Sequence, residues 1–252
     1  MSLALNTPLP VLDDSERFAL FFDFDGTLAE IVQRPEDVEV TQATREALEA
    51  LRDAFGGAVA IITGRDIPSI DRFLAPVRLP IAGVHGLSRR DAEGQMHSPT
   101  FNGEALSTVE ARLQPLVARE TGLILERKEG AIALHYRQRP ELEAACVAAM
   151  EDAAANAPGV ILRRGKMVIE AVGYPSDKGT AIATFLTERP FRGRVPVFAG
   201  DDLTDEDGFA LVNRHEGISI KVGPGETSAP YRVESRQQLL TWLNSILEKL
   251  GQ

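Results

Sequence analysis

"FALFFDFDGTLAE" occupies residues 18–30, and its reading decides the fold. Phe18, Ala19, Leu20, Phe21 and Phe22 run unbroken, with Phe24 close behind, the pattern of a strand covered on both faces. Asp23 and Asp25 interrupt that run, and Gly26-Thr27 ends it. Residues two apart in an extended strand project to the same side, so both carboxylates can address one small volume at the strand's tip.

The rest of the chain repeats this construction. "AVAIIT" (58–63) and "LPIAGVHG" (79–86) read as further buried strands, separated from the first by a helical segment over 41–54 and from each other by "DIPSIDRFL". After residue 173 the same texture returns: a helix beginning at "SDKG", the strand "VPVFAGDD", a short helix, the strand "GISIKVG" and a terminal helix. The segment between is built differently. Leu106, Val109, Leu113, Leu116 and Val117 define an amphipathic helix, and "LILERK" and "AIALHYR" flank Glu129-Gly130 as a hairpin. A second helix and hairpin follow, giving an internal α-β-β-α-β-β repeat. The sequence therefore predicts a parallel α/β Rossmann-like core, discontinuous over 1–88 and 172–252, interrupted by an α+β cap over 89–171.

Bulk composition narrows the partners. The 252 residues are 44% hydrophobic and 25% charged, ordinary for a globular chain with a sizeable core. A formal net charge of −10 argues against bulk binding of nucleic acid or anionic membrane, so cations for a small anionic substrate would have to be placed locally. The single cysteine, Cys146, excludes an intramolecular disulfide and a cysteine-based zinc site. "MSLALNTPLP" lacks a basic stretch leading into an apolar core, so the expectation is a cytoplasmic protein, with a monomer as default.

Ligands of open parallel sheets gather outside the carboxyl ends of the strands, and Asp23 and Asp25 lie at one such end, Asp201 and Asp202 at another. Either cluster alone could be a turn or a helix cap. Two of them on buried strands call for a hard cation, and oxygen ligands without a convergent histidine or cysteine set favour Mg²⁺.

"DFDGTL", "IITGR", "SDKG" and "GDDLTDEDGF", in this order, resemble the haloacid dehalogenase superfamily of aspartate-dependent phosphohydrolases. That resemblance implies Asp23 as the nucleophile, forming an aspartyl phosphate, and Asp25 as general acid and then base. It implies Thr63 as a donor to the phosphoryl oxygens and Lys178 as the local cation. The implied Mg²⁺ ligands are Asp23, the main-chain carbonyl of Asp25 and Asp201, with Asp202 and Asp205 in supporting or water-mediated places. The physics agrees. A phosphate dianion about 4 Å from a carboxylate costs about 8 kcal/mol at an effective dielectric of about 20, of which one lysine offsets about half. A divalent ion supplies the rest.

The insert is similar to the C2-type cap of sugar phosphatases. "ERKEGAIALHYR", "KMVIEAVGYPSDKG", "GVHG" and "KVGPGETSAPYRV" look like the trehalose-6-phosphate phosphatase branch, a resemblance reaching from residue 18 to about 243. It implies Glu126, Lys128, Arg137 and Glu170 as contacts to sugar hydroxyls. Gly64 and Arg65 fall in the phosphate loop, where Arg65 either pairs with nearby acids or holds the loop. His85 stands at the hinge as a structural hydrogen bond or a substrate contact, His135 reads as packing, and Ser88 departs from the acidic residue usual in the branch. Other readings on the same chassis are a sucrose-, mannosylglycerate- or glucosylglycerol-phosphate phosphatase, and a sugar phosphomutase.

Overall fold

The computed structural model describes residues 8–32, 37–98, 102–128, 130–165, 167–173 and 177–251, without the side chains of His85 and Lys128. In chain order the regular elements begin β1 (Phe18–Phe22), α1 (Gln42–Ala54), β2 (Val59–Ile62), α2 (Ile67–Leu74), β3 (Ile81–Gly83), β4 (Ser88–Arg90) and β5 (Met96–His97). Then come α3 (Gly103–Arg119), β6 (Ile124–Lys128), β7 (Ala131–His135), α4 (Glu143–Ala155), β8 (Ile161–Gly165) and β9 (Val168–Val172). The chain closes with α5 (Lys178–Phe185), β10 (Val195–Gly200), α6 (Glu206–Arg214), β11 (Ile218–Val222), β12 (Tyr231–Val233) and α7 (Arg236–Leu250). Two compact units result, residues 1–98 with 176–252, and residues 99–175.

The first unit is an eight-stranded sheet ordered β12-β11-β10-β1-β2-β3-β4-β5. Strands β12 through β3 are parallel, and β4 and β5 add to the edge antiparallel. β1 lies between β10 and β2, which explains its apolarity on both sides. Phe18, Leu20 and Phe22 pack with residues of α1, α2 and α7, whereas Ala19 and Phe21 pack with residues of α5 and α6. By the same alternation Asp23 is delivered to the α5 side. α5 begins sharply because Asp177 caps it: the Asp177 carboxylate accepts from Thr180 N at 2.6 Å, and Thr180 Oγ1 accepts from Asp177 N at 2.8 Å. Lys178 is thereby fixed at the first helical position.

The second unit is a four-stranded antiparallel sheet, β6-β7-β9-β8, with α3 and α4. Ile132, Leu134, Ile169 and Ala171 form its apolar cluster with Val109, Leu113, Cys146 and Met150 of the two helices. The alternate strand residues therefore share the face away from the helices.

Three features differ from the sequence reading. β4 and β5 belong to the first sheet, so that unit runs to residue 98, beyond the expected boundary at 88. Their charged residues hid them: buried Arg90 pairs with Asp71 at 2.6 and 2.7 Å, and buried Arg89 with Glu188 at 2.6 and 2.8 Å. β12, inside "APYRV", carries too little apolar pattern to stand out. Finally, β7 ends at His135, leaving Arg137 in an exposed turn rather than on the strand. Among the described residues no helix is long and apolar enough to cross a membrane.

Candidate active site

Three carboxylates from two distant stretches of the chain, Asp23 with Asp201 and Asp205, gather at the carboxyl end of the parallel sheet together with two buried lysines. Lys178 Nζ donates to Asp23 Oδ1 and to Asp205 Oδ1, each at 2.6 Å, and all three side chains are buried. A buried ammonium is expensive to desolvate, and two carboxylates at hydrogen-bond distance outweigh that cost and hold Lys178 protonated, well above its ordinary pKa. Asp23, Asp201 and Asp205 each offer a carboxylate oxygen, the three lying within 4.8 Å of one another.

Asp205 also builds the loop. Its Oδ2 accepts from Asp201 N at 3.0 Å and from Asp202 N at 2.9 Å, so with Lys178 on Oδ1 both oxygens are engaged. Gly200 is required beneath it, since a Cβ there would stand 2.3 Å from Asp205 Cγ. Thr27 Oγ1 reaches Asp201 Oδ1 at 3.4 Å. Gly26 brings the two acidic tips together. It holds φ +84°, and a Cβ on it would lie 2.1 Å from Asp201 Oδ2.

Asp25 is held separately. Arg65 Nε and Nη2 donate to its two carboxylate oxygens at 2.6 and 2.7 Å, and the guanidinium lies 5.2 Å from the Phe73 ring centroid and 5.9 Å from that of Phe24. Pairing with a nearby acid, one of the two roles read for Arg65, is present in these bonds. Thr63 is buried, and its Oγ1 accepts from Arg65 N at 3.1 Å, which leaves the hydroxyl hydrogen to donate elsewhere. Gly64 sits exposed in the bend between them.

Asp202 stands apart. It is exposed, accepts from Leu203 N at 2.6 Å, and begins the 3-10 turn Leu203–Asp205. Its carboxylate is not among the three that gather. Lys221, which the sequence reading passed over, is buried and donates from Nζ to the main-chain carbonyl of Asp201. A single lysine in the apolar strand "GISIKVG" was a signal of the same kind as the aspartates in the first strand.

The acidic set fits a hard divalent cation. Burial pushes the Asp23 carboxyl well above the ordinary range, and burial, then the Asp205 charge, raises that of Asp201. Burial disfavours the charged form of both carboxyls, and a divalent ion favours it. All the donors are oxygens. Asp23 and Asp201 are best placed to hold it, because Asp205 is already engaged.

On the second unit Glu126, Ala133, Glu170 and Arg163 lie in register across the four strands, on the face away from the helices. Glu126 and Glu170 are therefore brought into one row with only an alanine between them. His135 is not a packing residue: half-buried on that same face, it sits with Nε2 2.8 Å from Glu126 Oε2. Arg137 lies beyond the paired rows. The readings made for His85 and Lys128 fall on side chains outside the described residues.

Against known proteins, residues 21–237 match the family model for trehalose-phosphatase. The trehalose-6-phosphate phosphatase of Escherichia coli (strain K12) is 42% identical over 238 residues, 94% of this chain and 90% of that protein. A probable trehalose-phosphate phosphatase of Sinorhizobium fredii is 38% identical, over 84% of this chain and 80% of that one. The crystal structure of a trehalose-6-phosphate phosphatase related protein aligns with a TM-score of 0.68 at 30% identity, covering 92% of this chain and 98% of that one. The chain belongs to the trehalose-phosphatase family of the haloacid dehalogenase superfamily.

Proposed function

We propose that this protein hydrolyses trehalose 6-phosphate to trehalose and phosphate through an aspartyl-phosphate intermediate. The observation that carries the reading is the buried Asp23–Lys178–Asp205 array beside Asp201, in a chain matched to the trehalose-phosphatase family over residues 21–237.

Asp23 supplies the nucleophilic oxygen. It attacks phosphorus while the bond from phosphorus to the sugar oxygen breaks, and Asp25 gives that oxygen its proton. Asp25 then takes a proton from water as the water attacks phosphorus and releases Asp23. Arg65 holds both Asp25 oxygens, so the acid step begins with one of them released from the guanidinium. Lys178 keeps Asp23 oriented and balances phosphate charge, and the free hydroxyl hydrogen of Thr63 is available to a phosphoryl oxygen. A bound Mg²⁺, held by Asp23, the Asp25 carbonyl and Asp201, would offset the repulsion between the nucleophile and the phosphate. Glu126, Lys128, Arg137 and Glu170 recognise the sugar hydroxyls, a role supported by the alignment of Glu126 and Glu170 in one row.

The test is phosphate release in Mg²⁺ from trehalose 6-phosphate, sucrose 6-phosphate, glucose 6-phosphate and an aryl phosphate. A preference of several hundredfold for the trehalose ester is expected; comparable rates on all four would remove the substrate assignment. Bisphosphate-dependent isomerisation without net phosphate release would turn the reading to a mutase.

A further inference from the structure

Lys221 is a buried charge that the reaction as derived does not use. It is 4% exposed, the only charged residue of β11, and its Cα is in register with Gly200 across the β10–β11 pair, level with the residue before Asp201. Ile218, Ile220 and Val222 join the apolar cluster on one face of the strand, so Ser219 and Lys221 project from the other. Burying an ammonium at this point costs stability that an apolar side chain would not. What it gains is a hydrogen bond on the Asp201–Asp202 peptide, with the Asp201 and Glu206 carboxylates near enough for its charge to be felt. Lys221 Nζ donates to the carbonyl of that peptide unit, and Asp205 Oδ2 accepts from its N–H at 2.9 Å. A single peptide plane is thus gripped at both polar ends by buried charged groups, and turning it would break two charge-assisted hydrogen bonds. With the main chain so held, the Asp201 carboxylate stays within 4.8 Å of an Asp23 oxygen.

We propose that Lys221 is a positioning residue of the divalent-cation site, which holds the Asp201 peptide in the orientation that aims its carboxylate at Asp23. The inference rests on the metal-dependent reading above. It also makes a prediction opposite in sign to simple electrostatics. The Lys221 charge also favours ionised Asp201, so the comparison belongs in mildly alkaline buffer, where protons no longer compete; there a lysine acting only through its charge repels a cation, and removing it would tighten cation binding. A lysine acting by position weakens binding when removed, as loss of groups that orient metal ligands does by about 10–100-fold.

The experiment is calorimetric titration of the substrate-free protein with Mg²⁺, wild type against Lys221→Met, with circular dichroism and melting in EDTA confirming that both are folded. Binding at least about tenfold weaker in Lys221→Met is expected. Unchanged or tighter binding overturns the proposal while leaving the phosphatase reading intact. A wild-type protein that binds no Mg²⁺ overturns both. Should Lys221→Met not fold, Lys221→Gln, which lacks the charge and the reach, carries the same expectation.

Discussion

Asp23 has burial, Asp205 and Asp201 working to raise its carboxyl, with Lys178 as the cation that opposes them. Its substitution by asparagine keeps the shape, leaves Lys178 paired with Asp205, and removes the carboxylate proposed to attack phosphorus. Asp23→Asn is therefore expected to lose turnover by a factor on the order of 10³ or more while its circular dichroism stays that of the wild type. Phosphate release comparable to wild type from the purified variant would exclude Asp23 as nucleophile. Asp23 and Asp25 were legible as residues because they interrupt an apolar strand, whereas Thr63 and Lys178 were expected only through the resemblance of their motifs to the superfamily. The double duty of Asp205 was legible in neither way. Only the folded loop brings Lys178 to one of its oxygens and two backbone amides to the other.

Among the elements, β4 shows how far charge can hide a strand. Burial works to raise the Asp71 carboxyl, but the hydrogen bonds and charges of Arg90 and Arg78 outweigh it and hold it below the ordinary carboxylate range. A depressed folded-state pKa gives stability that is present above the unfolded value near 4 and is lost as pH falls through the folded one. Asp71→Asn should therefore cost about 2 kcal/mol at neutral pH, since it leaves the buried Arg90 without a carboxylate, with only neutral oxygens such as the Leu79 carbonyl to accept from it. Urea unfolding should show that deficit shrinking below about pH 4; a deficit independent of pH would mean that the ion pair does not carry it. On the second unit, Glu170→Ala should lower kcat/KM about tenfold or more for the disaccharide ester and far less for an aryl phosphate, which has no sugar hydroxyls to satisfy. Equal losses on the two substrates would take the row out of sugar recognition. Strand alternation made this face readable from sequence, whereas the end of β7 at His135, and with it the turn that carries Arg137, was not.

For the molecule as a whole, a cation held by the acidic site would link that site to stability. Anything bound by the native state alone adds RT ln(1 + [L]/Kd), about 2.7 kcal/mol at one hundred times Kd. Mg²⁺ at saturation should accordingly raise the melting temperature above that measured in EDTA, and EDTA should abolish turnover until Mg²⁺ is restored. Turnover that survives complete chelation would remove the metal from the reaction.

The amino-acid sequence by itself determined the class of the core, the interrupted plan and the motif residues. Buried parallel strands need apolar runs, and polar groups can appear only at their tips, so the pattern is local and survives in one dimension. Tertiary structure alone decided which groups share an atom: Arg65 on both oxygens of Asp25, Asp205 between Lys178 and a loop, His135 beside Glu126, and Lys221 on a carbonyl. Such contacts depend on the packing of elements far apart in the chain, where no spacing rule along the sequence reaches.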